Sequence, residues 1–394
     1  MLVKRFNQHP TRHRLQTGLL ISLLFLGSII LPTASLAAAP IPAAPNLAAR
    51  AYLLIDVNSG QILAEKKTDK RMEPASLTKL MTAYIIFSEL QAGTVNLNEE
   101  VLISEKAWRM GGSKMFIEVN KRVVVEKLLK GMIIQSGNDA SVALAEHIAG
   151  SEEAFATLMN NYAQTLGMSN SHFVNSTGMP HRKHYTTASD LAKLAQALIN
   201  DFPDYYAWYS IKKYTFNGIT QYNRNKLLWR DKHIDGLKTG HTESAGFCLI
   251  ASAQRESMRL LSVVLGTRSE DARAQESQKL MNYGFRFFET RPLYTANTAL
   301  TKTRIWEGSV EELALGLTTD LYITIPRGRY NKLNATMNIN DKIMAPVNKG
   351  QQLGSVEVVL EGEQVASRPL ISLHDVKAGD FVQRMTDKVM LMFE

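Results

Sequence analysis

The sequence predicts an α+β protein: a sheet with helices packed on its faces, then a small all-β sandwich, then a C-terminal amphipathic helix. Three observations point there. Helical periodicity fills the stretch between an early hairpin and a later group of strands. Beyond about residue 290 the texture changes to short alternating stretches separated by turns. The final segment puts apolar and charged side chains on opposite sides of a helix.

The hairpin is read from residues 51–57 and 61–64, which flank the turn Asn58-Ser59-Gly60. Helical patterns then dominate to about Leu198. The clearest begins after Pro74-Ala75 and runs through Leu77, Leu80, Met81, Tyr84, Ile85, Phe87 and Leu90, the spacing of a buried helix. Strands return at 214–216, 247–253 and 260–265, and a helix over 274–288 closes this domain near Thr290. Past it, 321–325, 353–360 and 370–373 read as strands of a β-sandwich, with turns at Asn348-Lys349-Gly350 and Glu361-Gly362. In the tail, Phe381, Val382, Met385, Val389, Met392 and Phe393 share one helix side, while Arg384, Asp387 and Lys388 share the other. Such a helix either packs on the β-domain or lies in a membrane interface.

At the other end, Lys4, Arg5, Arg12 and Arg14 precede an apolar run over 19–31 and the small-residue site Ser35-Leu36-Ala37. The run is short for a bilayer span and reads as a signal peptide. The expected organisation is therefore a signal peptide at 1–37, a first domain at 38–290, a β-sandwich at 291–378 and the amphipathic helix at 379–394. Removing the leader takes away those four basic residues and no acidic one, so the formal charge falls from +8 to +4. That mild excess argues against a nucleic-acid surface. The lone Cys248 cannot form an internal disulfide and fits a small buried residue. His181 and His184 read as loop residues, since nothing nearby completes a metal site; no cofactor is expected.

Three short words carry the chemistry: Ser76-Leu77-Thr78-Lys79, Ser136-Gly137-Asn138 and Lys238-Thr239-Gly240, each present once and in this order. A Ser-x-x-Lys arises by chance about once or twice in a chain of this length, and Ser210-Ile211-Lys212-Lys213 is such a decoy, read as surface. The first word opens the buried helix, so Ser76 and Lys79 lie one turn apart on one face. A serine hydroxyl needs a base to become a nucleophile, and a lysine serves if burial or a second cation such as Lys238 depresses its pKa. Ser76 also sees the positive end of the helix dipole. Ser136 and Asn138, at a turn between two helical runs, supply a hydroxyl that relays a proton and an amide that holds a substrate amide. Lys238 offers a charge and Thr239 a hydroxyl, while Gly240 lets a substrate backbone approach the strand edge. Singly these words read as a helix cap, a capping Ser/Asn and a hairpin turn; together they describe serine acylation.

The stretches Ala75-Ser76-Leu77-Thr78-Lys79-Leu80-Met81-Thr82, Gln135-Ser136-Gly137-Asn138-Asp139-Ala140 and Lys238-Thr239-Gly240-His241-Thr242 resemble the D-alanyl-D-alanine carboxypeptidases, the low-molecular-mass penicillin-binding proteins of Gram-negative bacteria. The likeness covers almost the whole chain and includes Trp229, Gly236, residues 284–290 and residues 325–329. It implies a β-lactamase-like, penicillin-binding transpeptidase-like first domain, which is then the catalytic one. By the same resemblance Ser76 is the nucleophile and Lys79 the base, with Ser136 and Asn138 in proton relay and substrate positioning. Lys238 and Thr239 would meet the terminal carboxylate, and the backbone N–H groups of Ser76 and His241 would form the oxyanion hole. Arg268 matches a family arginine near that carboxylate.

Three function classes compete. The first is a carboxypeptidase that removes the last D-alanine from peptidoglycan stem pentapeptides through acyl-Ser76 and is acylated by β-lactams, with D,D-endopeptidase action on cross-linked stems as a variant. The second is a serine β-lactamase, which needs a glutamate to activate the deacylating water, and none occurs between Glu153 and Lys238. The third is a non-catalytic wall-binding scaffold, which would tolerate loss of Ser76 or Lys79. The first is preferred, with the protein in the periplasm, held peripherally on the inner membrane by its terminal helix; self-association is left open.

Overall fold

The computed structural model describes residues 41–393, so the leader expected over 1–37 lies outside the described residues. The first strand, Ala51–Asp56, dictates a layered architecture, because every one of its residues is buried. Leu53 and Ile55 join one apolar core, whereas Tyr52 and Leu54 join a second on the opposite face. A strand buried on both faces requires a layer on each side. The sheet is five-stranded and antiparallel, in the order Ile62–Lys66, Ala51–Asp56, Met258–Thr267, Gly246–Arg255, Ile234–Thr242. Helices between residues 79 and 201 cover one face, and the helix Glu270–Phe287 covers the other. The expected hairpin and the expected class are both observed.

The third motif occupies an edge. Ile234–Thr242 pairs with Gly246–Arg255, Lys238 standing opposite Ile250 and Gly240 opposite Cys248, and among the described residues no further strand joins it. At the centre of the helical layer lies Lys79–Ala92, whose residues from Lys79 to Phe87 are all buried, so protein surrounds this stretch. Gly93, in the left-handed region, ends it.

The nucleophile motif does not begin this α-helix directly. Ala75–Thr78 forms a tighter 3-10 turn in front of it, because Ala75 adopts φ 49° and breaks the regular start. The last helix of the domain begins at Glu270, four residues before the expected 274. Ser269 caps it, its side chain accepting from the Ala272 N–H.

The C-terminal domain is a two-layer β structure. Phe288–Tyr294 pairs with Leu321–Pro326 in one sheet. The other sheet runs Thr301–Arg304, Glu312–Gly316, Glu363–Ser372, Gln352–Leu360, Leu333–Ile339. Leu321, Ile323 and Ile325 of the first layer share a core with Leu313, Leu315, Val356, Val358 and Leu370 of the second.

A buried carboxylate ties the two domains together. Asp56, at the end of a catalytic-domain strand, accepts hydrogen bonds from Ser59 N–H (2.8 Å) and Thr290 Oγ1 (3.0 Å). Thr290 Oγ1 lies 2.8 Å from Thr324 Oγ1, which lies 2.6 Å from Ser59 Oγ. Burial raises the Asp56 pKa against the lowering effect of these hydrogen bonds. Asp56→Ala takes this acceptor from the buried Thr290 hydroxyl and the part-buried Ser59 N–H, an expected loss of about 2–4 kcal/mol. Thermal unfolding checks this, and Asp56→Asn, which keeps an acceptor, is expected to lose less.

Candidate active site

The edge strand, the nucleophile turn and the second motif converge on one cavity of about 350 Å³, lined by Ser76, Ser136, Thr239, Gly240 and His241 together with Gly112, Ser113, Arg224, Glu270 and Arg273. A second groove of about 430 Å³, bordered by Glu118, Lys121, Arg122 and Phe216, contains none of the motif residues. The decoy Ser210 and Lys213 are exposed on the surface. Among the described residues no group of three or more His, Cys, Asp or Glu side chains could hold a metal.

Lys79 is the centre of this arrangement. It is 1% exposed, and its Nζ lies 2.7 Å from Asn138 Oδ1, 2.7 Å from Thr177 O and 3.2 Å from Ser76 Oγ. A neutral amine has two hydrogens and one lone pair. The two short contacts go to acceptors that cannot donate back, so they take the hydrogens and leave the lone pair for the Ser76 hydroxyl proton. Burial, and next the positive charge of Arg224, lowers its pKa from 10.5 to about 7, while Asp139 and Glu152 pull it upward. Arg224 thus joins Lys238, whose own pKa the charge of Lys79 lowers, as a cation acting on this pair.

Lys238 is buried as well. Its Nζ donates to Ser136 Oγ (2.8 Å) and to Thr239 O (3.2 Å). Burial, then the charges of Lys79, Arg224 and Arg273, holds its pKa well below the usual lysine range. Ser136 follows a π-helical turn, Gly131–Gln135, and takes the left-handed conformation, φ 65°. Behind it Asp139 accepts from the N–H groups of Met115 and Phe116, both at 2.9 Å, and so fixes the wall that carries Gly112 and Ser113. The Gly240 backbone packs on the nucleophile turn, since a Cβ there would stand 3.0 Å from Pro74 O and 3.2 Å from the Ala75 Cβ.

Arg268 does not join this site. It is exposed and outside the cavity lining. It precedes the Ser269 cap, whereas Arg273 sits in the first turn of the helix, buried, with Nη1 donating to Gly240 O at 3.2 Å. Arg224 and Arg273 are the arginines the cavity contains, and neither stood out in the sequence.

Sequence reading also missed the segment behind Lys79. Asn175 Oδ1 accepts from Thr177 N–H (3.2 Å) and Gly178 N–H (2.7 Å), a local turn that aims the Thr177 carbonyl at Lys79. Ser176 O takes the hydroxyls of Thr82 (2.7 Å) and Ser141 (2.8 Å), and the buried Glu152 accepts from Ser176 N–H. Glu152 is therefore engaged in structure and does not line the cavity. Gly178 has φ 85°, and a Cβ there would fall 1.8 Å from Ala75 O, so only glycine permits this backbone contact.

His184 lies in a loop, as expected, and from there braces the same segment. It is buried; the Val174 N–H donates to its Nδ1 (3.2 Å), so Nε2 carries the proton and donates to Thr78 Oγ1 at 2.8 Å. Burial, then the neighbouring His172 and His181, lowers its pKa from 6.5 to about 4. The folded value lies below the unfolded one, so its stabilising contribution is full above pH 6.5 and is lost as pH falls through about 4, worth about 3 kcal/mol over that window. His184→Gln keeps a donor and an acceptor without titrating, and is expected to flatten this part of the stability profile between pH 4 and 7. Thermal melts across that range decide it; an unchanged acid sensitivity would remove His184 as the source.

Comparison with known proteins matches this geometry. The D-alanyl-D-alanine carboxypeptidase family matches residues 38–269, and the C-terminal domain of penicillin-binding protein 5 matches residues 288–378. The chain is 42% identical to D-alanyl-D-alanine carboxypeptidase DacA of Escherichia coli K12 over 361 residues, 90% of each chain. It is similar to the crystal structure of penicillin-binding protein 5 from Haemophilus influenzae, with TM-score 0.82 and 40% identity, over 85% of this chain and 99% of that one. It also resembles penicillin-binding protein D2 from Listeria monocytogenes in its ampicillin-bound form, with TM-score 0.57 and 31% identity, over 62% of this chain and all of that one. With Ser76 and Ser136 lining one cavity and Lys79 and Lys238 buried against them, and with likeness over nine-tenths of its length, the chain belongs to the D-alanyl-D-alanine carboxypeptidase family of serine peptidases.

Proposed function

We propose that the chain removes the terminal D-alanine of peptidoglycan stem peptides by acylating Ser76, with Lys79 as the base. The observation that carries this is the saturated environment of Lys79, two acceptors for its hydrogens and Ser76 Oγ for its lone pair. The penultimate D-alanine carbonyl enters beside Ser76. Lys79 takes the hydroxyl proton as the Ser76 Oγ–C bond forms, and the backbone N–H groups of Ser76 and His241 hold the oxyanion. Ser136 passes its proton to the leaving nitrogen as the C–N bond breaks and recovers one from Lys238 Nζ, 2.8 Å away, and Asn138 positions the substrate amide. Thr239, Lys238 and Arg273 receive the terminal carboxylate of the departing residue. Water then hydrolyses the acyl-enzyme, its proton going back to Lys238 through Ser136 while Lys79 returns its proton to Ser76 Oγ. A β-lactam takes the same first step, a reading supported by the ampicillin-bound relative.

Lys79→Arg is expected to abolish acylation by penicillin with the fold intact, because a guanidinium stays protonated and cannot accept the serine proton. In the unaltered chain, acylation should rise with pH along one limb centred near pH 7, where Lys79 loses its proton. Intact-mass kinetics with circular dichroism measures both; near-normal acylation in the arginine variant removes Lys79 from the mechanism.

We assign the mature protein to the periplasmic face of the inner membrane. The basic and apolar leader supports export, and the terminal helix supports peripheral attachment. No helix among the described residues is long and apolar enough to cross a membrane. Phe381–Leu391 instead anchors to the β-domain through Asp387. Asp387 is buried and accepts from Glu307 N–H (2.6 Å) and Arg304 Nη2 (3.2 Å). Phe381, Val382 and, just past the helix, Phe393 are 69%, 72% and 87% exposed, and Met385 and Val389 are exposed with them. Each large side chain gains about 1.5–3 kcal/mol on full burial, enough together for reversible interfacial binding. Truncation before Phe381 is expected to release the protein from vesicles while activity on a soluble peptide is retained. Flotation decides it, and equal flotation of both forms would end the assignment.

A further inference from the structure

One end of the cavity holds cations for an incoming carboxylate, and it already holds a carboxylate of its own. Arg273 Nη2 lies 3.6 Å from Glu270 Oε1. The other oxygen of Glu270 lies 3.6 Å from Lys226 Nζ, which is also 3.0 Å from Asp271 Oδ1. Among the described residues Glu270 is the one acidic side chain lining the cavity, and Arg273 and Arg224 line it too. Arg273 is buried and its Nη1 is committed to Gly240 O, so the group left for a substrate is the one facing Glu270. The Glu270 side chain is half exposed and stands 3.6 Å from each of the two cations.

We propose that Glu270 is a specificity-determining residue that competes with the substrate's terminal carboxylate for Arg273, and that Lys226 sets the outcome by drawing Glu270 away. Two carboxylates sharing one guanidinium repel each other, so the substrate binds as Glu270 withdraws toward Lys226. The same competition expels the product, since free D-alanine carries the carboxylate that Glu270 displaces. Glu270 thereby lowers the occupancy of the site by anions in general and favours turnover over retention. The inference rests on the carboxypeptidase reading of the site.

The test is the steady-state hydrolysis of an N-acylated peptide ending in D-Ala-D-Ala, with free D-alanine as inhibitor. Glu270→Gln is expected to lower KM and the inhibition constant of D-alanine by roughly three- to tenfold, an effect that shrinks as salt rises. Lys226→Gln is expected to raise both, by leaving Glu270 on Arg273. In the double variant the Lys226 effect should vanish, because Lys226 is linked to Arg273 through Glu270 and its other partner, Asp271, lies outside the cavity lining. An unchanged KM in Glu270→Gln overturns the proposal, and so does a Lys226 effect of equal size in both backgrounds, which would be plain loss of a positive charge. Failure of the underlying reading looks different: hydrolysis would persist in Ser76→Ala.

Discussion

A lysine buried in the middle of a protein is the constraint around which this catalytic domain is built. Lys79 can occupy its place only if each proton and lone pair has a partner, since an unsatisfied charge there would cost several kcal/mol. Two of its partners come from distant parts of the chain, Asn138 from the second motif and Thr177 from a turn after it, and the third, Ser76, from its own helical turn. Burial lowers its pKa, and so the environment that makes the lysine expensive to hold also makes it a base near neutral pH.

Holding those partners requires backbone conformations that the chain does not prefer. Ala75 and Ser136 both have positive φ, and both adjoin or belong to catalytic words. Gly178 must lie against Ala75 O with no side chain between them. The apolar surroundings offset this strain. The stretch from Lys79 to Phe87 is enclosed on all sides, and the sheet beneath it is packed on both faces, so the nucleophile turn sits on a rigid support. His184 and Glu152 extend that support to the segment carrying the Thr177 carbonyl.

A feature is legible in the sequence when it has a local signature. Ser76 and Lys79 are three residues apart, and the strands around 51–66 and 247–265 contain short apolar runs bounded by turn residues, the mark of strands covered on both faces, so both were legible. A backbone carbonyl has no signature, and the role of Thr177 was therefore invisible until the fold brought it to Lys79. The two arginines show how a small boundary error becomes a site error. With the helix expected from 274, Arg273 fell outside it and was not singled out, while Arg268 was named by resemblance. The Ser269 cap starts the helix earlier, leaves Arg268 outside and turns Arg273 toward Gly240. The strands Phe288–Tyr294, Thr301–Arg304, Glu312–Gly316 and Leu333–Ile339 were missed because charged and threonine-rich stretches with one weakly apolar face resemble loops.

The terminal helix reverses the usual rule for a surface helix, and electrostatics explains how. Its one buried residue is Asp387, which accepts from a backbone N–H and from Arg304, itself stacked on Trp306 with its guanidinium carbon 3.9 Å from the ring centroid. These bonds fix the rotation of the helix about its axis, so its apolar side is forced outward. The two faces cannot exchange places without stranding a buried carboxylate, a cost comparable to the gain from burying one or two of the exposed side chains. The outward face is thus a built feature, and the Asp56, Thr290 and Thr324 contacts couple the domain that presents it to the domain that carries Ser76.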